Sequence, residues 1–191
     1  MVTILLLGAF LLAPPPPAAS SLTVGSVVPK DAAFTDINGA VHTLGEFRGR
    51  IVLLHFWSVA CPFERAAEPK LIEIQQAYRD KGVVEIGVDA NQDELAVGGV
   101  TYANLRDHVA KAGVNFLVAV DPGNVLTDLL GGLSATHSFV IDRDGVLRYA
   151  GALDDDPRGD KGPQARAYVR AAIDALLAGT PVRVPTTRPY G

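Results

Sequence analysis

The sequence predicts an α/β fold, a central mixed β-sheet flanked by helices on both faces. Three observations carry this reading. Ile51-Val52-Leu53-Leu54-His55-Phe56-Trp57 is a nearly continuous apolar run of strand length, which suits a central strand covered on both sides. Val83-Val84-Glu85-Ile86-Gly87-Val88 is a second such run. Between them, from about Pro62 to Asp80, the apolar residues Phe63, Ala67, Leu71, Ile74 and Tyr78 recur on one helical stripe, and Gly82 punctuates its end.

The remaining elements follow in order. Ala33–Ile37 and Val41–Leu44 read as short strands joined by the turn signal Asn38-Gly39. Tyr102, Leu105, Val109 and Ala112 mark a helix closed by Gly113, and Phe116–Val120 is a strand. Asn124 is placed to cap a short helix running through Leu130. Ser138–Ile141 and Val146–Tyr149 flank Asp144-Gly145, a hairpin signal. Val169, Ala172, Ile173, Leu176 and Leu177 form an amphipathic helix ending at Gly179. The order β-β-β-α-β-α-β-α-β-β-α makes residues 21–180 one domain. Residues 181–191 carry three prolines and no periodicity, and read as an extended tail.

Residues 1–20 read as a leader. Ile4–Ala13 is an apolar run too short to span a bilayer comfortably, followed by Pro14–Pro17 and the small residues Ala18, Ala19 and Ser20, which suit signal-peptidase cleavage. The first three residues, Met1-Val2-Thr3, hold no Lys or Arg, so a retained anchor stays open as the alternative. Cleavage would leave no stable membrane span and an exported domain, periplasmic or extracellular, in an oxidising compartment. The 191 residues have a net charge of −4 and no Lys/Arg cluster, which excludes a nucleic-acid partner. A single cysteine excludes an internal disulfide framework and a Cys-x-x-Cys zinc site.

That cysteine lies in the most informative segment, Phe56-Trp57-Ser58-Val59-Ala60-Cys61-Pro62-Phe63-Glu64-Arg65. Cys61 falls just past a buried strand and at the start of a helix, with Pro62 suited to the first helical position. Free backbone N–H groups and the helix dipole there favour thiolate over thiol, and thiolate is the reactive form. The plainer alternative is a buried cysteine acting as a small hydrophobe.

The segment resembles the active-site stretch of thioredoxin-like proteins, Phe-Trp-Ala-x-x-Cys-x-x-Cys. By that resemblance Cys61 is the attacking cysteine, Glu64 stands in the place of the resolving one, and Pro69 matches a kinking proline of the first helix. The likeness continues through Asp121–Asn124, Phe139–Gly145 and Tyr149–Asp155, and the ending Thr187-Arg188-Pro189-Tyr190-Gly191 resembles tails of peroxiredoxin-like redoxin-domain proteins. Cys-Pro-x-Glu also resembles the peroxidatic segment Thr-x-x-Cys-Pro-x-Glu, with Ser58 in place of the threonine and able to bond a thiolate or a peroxide oxygen. Leu54 stands where that motif has proline. Thr136 stands where peroxiredoxins carry arginine and thioredoxins a cis-proline, and Arg65 is a partial substitute for the missing arginine.

The resemblance implies a one-cysteine thiol oxidoreductase without a cofactor. Cys61 would attack a peroxide or a partner protein's disulfide, and an external thiol would complete the cycle. Ser58, Glu64 and Arg65 would assist Cys61, while Trp57, Pro62, Thr136 and His137 would line the substrate surface. Several of these residues have plainer readings. Trp57 can simply pack on the first helix, and Glu64 is either a proton relay or a solvated helix residue. The pair Cys61–His137 is thin grounds for copper or haem, so no metal is assigned, and Asp154–Asp156 reads as a solvated loop. The alternative function is a degenerate thioredoxin-fold module that binds a partner protein or peptide around Cys61 and Thr136.

Overall fold

The computed structural model describes residues 21–191, so the expected leader lies outside the described residues. Seven strands form one sheet: β1 (Ala33–Asp36), β2 (Val41–Thr43), β3 (Ile51–Trp57), β4 (Val83–Asp89), β5 (Leu117–Val120), β6 (His137–Ile141) and β7 (Leu147–Ala152). Their spatial order is β2-β1-β5-β4-β3-β6-β7. The centre, β5-β4-β3, is parallel, and β6, β7, β1 and β2 join antiparallel at the two sides. The sheet is therefore mixed, as the sequence predicts.

Alternation along β3 assigns its two faces. Leu53 and Trp57 point to one side, where they pack with Leu71 and Ile74 of α1 (Glu64–Tyr78), Leu105 of α3 (Ala103–Ala112) and Ile173 of α5 (Tyr168–Leu177). Leu54 and Phe56 point to the other, against Leu126 and Leu130 of α4 (Val125–Leu130) and Phe47. His55 shares the α1 face, fully buried in an otherwise apolar strand. Each Leu buried this way contributes about 1.5–3 kcal/mol, so the continuous apolar runs are the main stabilising elements.

Four expectations are corrected. The regular part of α1 begins at Glu64, and Pro62 and Phe63 form a turn before it. The Glu64 N–H donates to the Cys61 carbonyl at 3.1 Å, three residues back, so the entry turn is tighter than α-helix. A helix absent from the predicted order, α2 (Gln92–Gly98), follows β4, and the Asn91 side chain caps it by accepting the Asp93 N–H. Asn124 does not cap α4 with its side chain. It sits in the left-handed region, and the Asp121 carboxylate accepts the Leu126 and Thr127 N–H groups instead. Residues 185–191 do not extend away. Along the outer edge of β7 the Ala150 N–H donates to the Pro185 carbonyl and the Ala150 carbonyl accepts the Thr187 N–H, and the last residues turn in towards the junction of β3 and α1.

Candidate active site

Cys61 is half-buried in the loop that joins the end of β3 to α1. Its N–H donates to the Ser58 carbonyl at 3.3 Å, and its own carbonyl accepts from Glu64, so two successive tight turns fix the backbone on either side of the sulfur. The first of these turns is held from outside by one residue, Glu94 of α2. Its carboxylate accepts the Ser58 hydroxyl at 2.5 Å, the Val59 N–H at 3.0 Å, the Ala60 N–H at 2.7 Å and the Asn91 side-chain amide at 3.0 Å. A buried carboxylate is tolerable only when so fully partnered, and its bonds are of the strong, charge-assisted kind. The Ser58 hydroxyl is thereby committed to Glu94, not to the thiol or to a bound peroxide.

On the inner side, Glu64 is buried in the first turn of α1 rather than solvated. Its Oε1 lies 3.3 Å from His55 Nε2, and His55 Nδ1 is 2.7 Å from the Ser138 hydroxyl on β6. The residue in the place of a resolving cysteine is thus a carboxyl set in a buried polar line. Among the described residues, Glu64 Oε1 is buried with no hydrogen bond of good geometry, while its Oε2 lies 3.4 Å from His55 Nε2.

The loop before β6 borders the same region. Thr136 is fully buried, with φ of 91°, a conformation that costs a β-branched residue of order 1–3 kcal/mol. Its N–H donates to the Phe56 carbonyl at 2.6 Å, which ties this loop to the end of β3. The neighbouring His137 is buried against the Phe139 ring, and its Nδ1 accepts the Leu133 N–H. Burial, reinforced by nearby His55, pulls the His137 pKa down to about 4, so its imidazole is neutral and supplies no cation to the site. A cavity of about 300 Å³ opens between the end of β3, Asn91 and the loop 132–135.

Other expected site residues fall elsewhere. The Trp57 ring is 1% exposed, donating to Glu68 on α1 at 3.0 Å and lying 5.6 Å from the His108 ring of α3, so it is a packing residue. Arg65 and Pro62 are exposed, Arg65 on the first turn of α1. Asp154 and Asp156 are buried and paired with Lys70, not a solvated loop.

Two acids went unread in the sequence, Glu94 and Asp89. Burial pushes Asp89 up to about 8, opposed by the Asn91 N–H and assisted by Glu94 beside it. The native state therefore keeps a proton that the unfolded chain releases near 3.8. This contribution to stability is full below pH 3.8 and is lost as pH rises through 8. His137 acts oppositely, costing stability only as pH falls from 6.5 towards 4. Between pH 6.5 and 8 the Asp89 effect is thus unopposed by His137. Asp89→Asn, which mimics the protonated acid, is expected to gain stability over the unsubstituted protein across that interval. Urea unfolding at pH 6.5 and 8 checks it; parallel behaviour of the two proteins would contradict the assignment.

Residues 23–169 match the Redoxin family model. A thiol-disulfide oxidoreductase ResA of Bacillus thuringiensis is 30% identical over 126 residues, spanning 66% of this chain and 68% of that protein. Among solved structures, a protein of Sinorhizobium meliloti superposes with a TM-score of 0.76 at 26% identity, covering 89% of this chain and 94% of the other. A putative thiol:disulfide interchange protein DsbE of Chlorobium tepidum gives 0.59 at 27% identity, covering 69% and 86%. The thioredoxin-like fold and the thiol oxidoreductase class expected from the segment around Cys61 agree with these relatives. With a family model spanning most of its length, the chain belongs to the Redoxin family.

Proposed function

We propose that this protein is a thiol–disulfide exchange enzyme working with one cysteine. The observation that carries this reading is the half-buried Cys61 held between two fixed turns, with a buried carboxyl, Glu64, where a second cysteine would stand. The relatives' names support disulfide chemistry. With the Ser58 hydroxyl committed to Glu94 and Thr136 where an arginine would be, the donors a peroxide oxygen needs are not assembled. A partner disulfide is therefore favoured over peroxide as the substrate.

The Cys61 thiol gives its proton to Glu64 Oε1, and the thiolate attacks one sulfur of a partner disulfide, R–S–S–R′. The bond from Cys61 to R–S forms as the S–S bond breaks, and R′–S⁻ leaves, taking the proton back from Glu64. An external thiol R″–SH then attacks the R sulfur of the mixed disulfide as its thiolate, releasing R–S–S–R″. Its proton returns to the Cys61 thiolate, restoring the thiol. No electrons are gained or lost by the protein over the cycle; the oxidising equivalent passes from R′ to R″. Arg65, exposed on the first turn of α1, remains a candidate for partner contact, as does Pro62. The exported, oxidising setting proposed from the leader suits such a cycle.

Incubation with a peptide disulfide and no added thiol tests this reading. Mass spectrometry is expected to show one peptide joined to Cys61, and a sulfur that stays free while the peptide remains oxidised would overturn it. Glu64→Gln is expected to slow this first step at neutral pH by about 100-fold, the usual scale of a lost proton acceptor. The deficit should vanish in alkaline solution, where thiols lose their proton to solvent. A deficit equal at all pH values would make Glu64 structural only.

A further inference from the structure

The segment 185–191 returns to the site it follows in the chain. Its first part is tied firmly to the edge of β7: the Ala150 N–H donates to the Pro185 carbonyl at 3.1 Å, the Thr187 N–H to the Ala150 carbonyl at 3.2 Å, and the Ala152 N–H to the Thr187 hydroxyl at 2.9 Å. Gly151 is required there, since a Cβ would meet the Thr187 hydroxyl oxygen at 2.2 Å. Beyond Thr187 the attachment changes in kind. The Tyr190 carbonyl accepts hydrogen bonds from the Ser134 hydroxyl, at 3.2 Å, and from the Thr136 hydroxyl. The Tyr190 ring lies 6.1 Å from that of Phe63, two residues past Cys61, and its phenol donates to Asp154 Oδ1 at 3.1 Å. Gly191 passes so close to the Ala135 carbonyl that a Cβ would stand 2.6 Å from it.

These contacts read a polypeptide rather than this one sequence. Two hydroxyls from the loop before β6 take a main-chain carbonyl, which any extended chain offers. One aromatic ring and one carboxylate take a tyrosine side chain. We infer that Ser134, Thr136, Phe63 and Asp154 form the recognition surface for an extended, tyrosine-bearing segment of the disulfide partner, and that Tyr190 occupies it as an internal stand-in. This inference rests on the exchange reading above and adds to it the kind of partner and its gate. The stand-in is displaceable because residues 188–191 are held by three side-chain hydrogen bonds and one ring contact, while ordering four residues costs a comparable amount. A segment held closed about nine-tenths of the time lowers apparent partner affinity, and the exchange rate at limiting partner, about 10-fold.

The test compares two probes on the full chain, 2-hydroxyethyl disulfide and a mixed disulfide of a tyrosine-containing cysteinyl peptide, following adduct formation at Cys61. Tyr190→Ala is expected to speed the peptide reaction about 10-fold and to change the small-probe reaction by less than about 2-fold. Tyr190→Phe, which keeps the ring contact and loses the bond to Asp154, should fall between. A peptide rate unchanged or slowed by Tyr190→Ala, with the small probe still reacting, overturns the recognition surface alone. Failure of both probes to form an adduct in the unsubstituted protein overturns the exchange reading beneath it.

Discussion

Cys61→Ser is expected to abolish disulfide exchange, lowering the rate by about 1,000-fold or more, because no other thiol exists in the chain to attack. The serine hydroxyl keeps the size and the half-buried position of the thiol but is a far weaker nucleophile. Its backbone bonds to Ser58 and Glu64 do not involve the side chain, so the two turns persist. Folding stability should move by no more than about 0.5 kcal/mol, the usual range for a partly exposed site away from packing. A spectrophotometric exchange assay beside a thermal melt separates the two effects. Retained exchange in a normally folded Cys61→Ser protein would mean that the reaction does not pass through this sulfur, whereas lost exchange with partner binding retained assigns the chemistry to Cys61.

Glu94→Ala carries the second large effect, and here stability and reactivity fall together. The carboxylate takes four hydrogen bonds from Ser58, Val59, Ala60 and Asn91, of which the exposed Ala60 N–H can turn to water when it is removed. The Ser58 hydroxyl is buried and loses its acceptor. Stranding such donors costs about 3 kcal/mol in all. For a domain of this size that lowers the melting midpoint by about 6–12 °C. The loop 58–60 then no longer fixes the turn that accepts the Cys61 N–H, so exchange should slow even well below the melting midpoint. Glu94→Gln can keep its acceptor oxygen towards Ser58, Ala60 and Asn91 and turns an N–H₂ towards the Val59 N–H alone, and should be intermediate. A melting midpoint shifted by less than about 2 °C in Glu94→Ala would mean that the loop stands without it.

What the sequence reveals follows from the range of the interactions involved. β3 and β4 are legible because a strand buried on both faces needs an apolar residue at nearly every position, and the stripe of α1 repeats at helical spacing within one segment. The position of Cys61 is legible for the same local reason. The helix α2 is not, because Gln92–Gly98 is short and carries no apolar stripe; its purpose is to deliver one carboxylate to a loop more than thirty residues earlier. His55 and Glu85, a polar and a charged residue inside apolar runs, are the visible traces of buried polar chemistry. The partners of His55 on other elements, Glu64 and Ser138, are fixed only by the folded chain. The segment 181–191 is legible as aperiodic, and nothing in its composition says that Tyr190 returns to Phe63 and Thr136.

Counting released thiol tests the central claim most directly. The protein is mixed with excess partner disulfide, first without and then with added thiol, and the R′–S⁻ liberated is titrated against time. A single cysteine with an external resolving thiol predicts one equivalent released per chain and then arrest, with turnover resuming in proportion to the thiol added. Sustained release without added thiol, or no initial equivalent at all, would contradict the one-cysteine account.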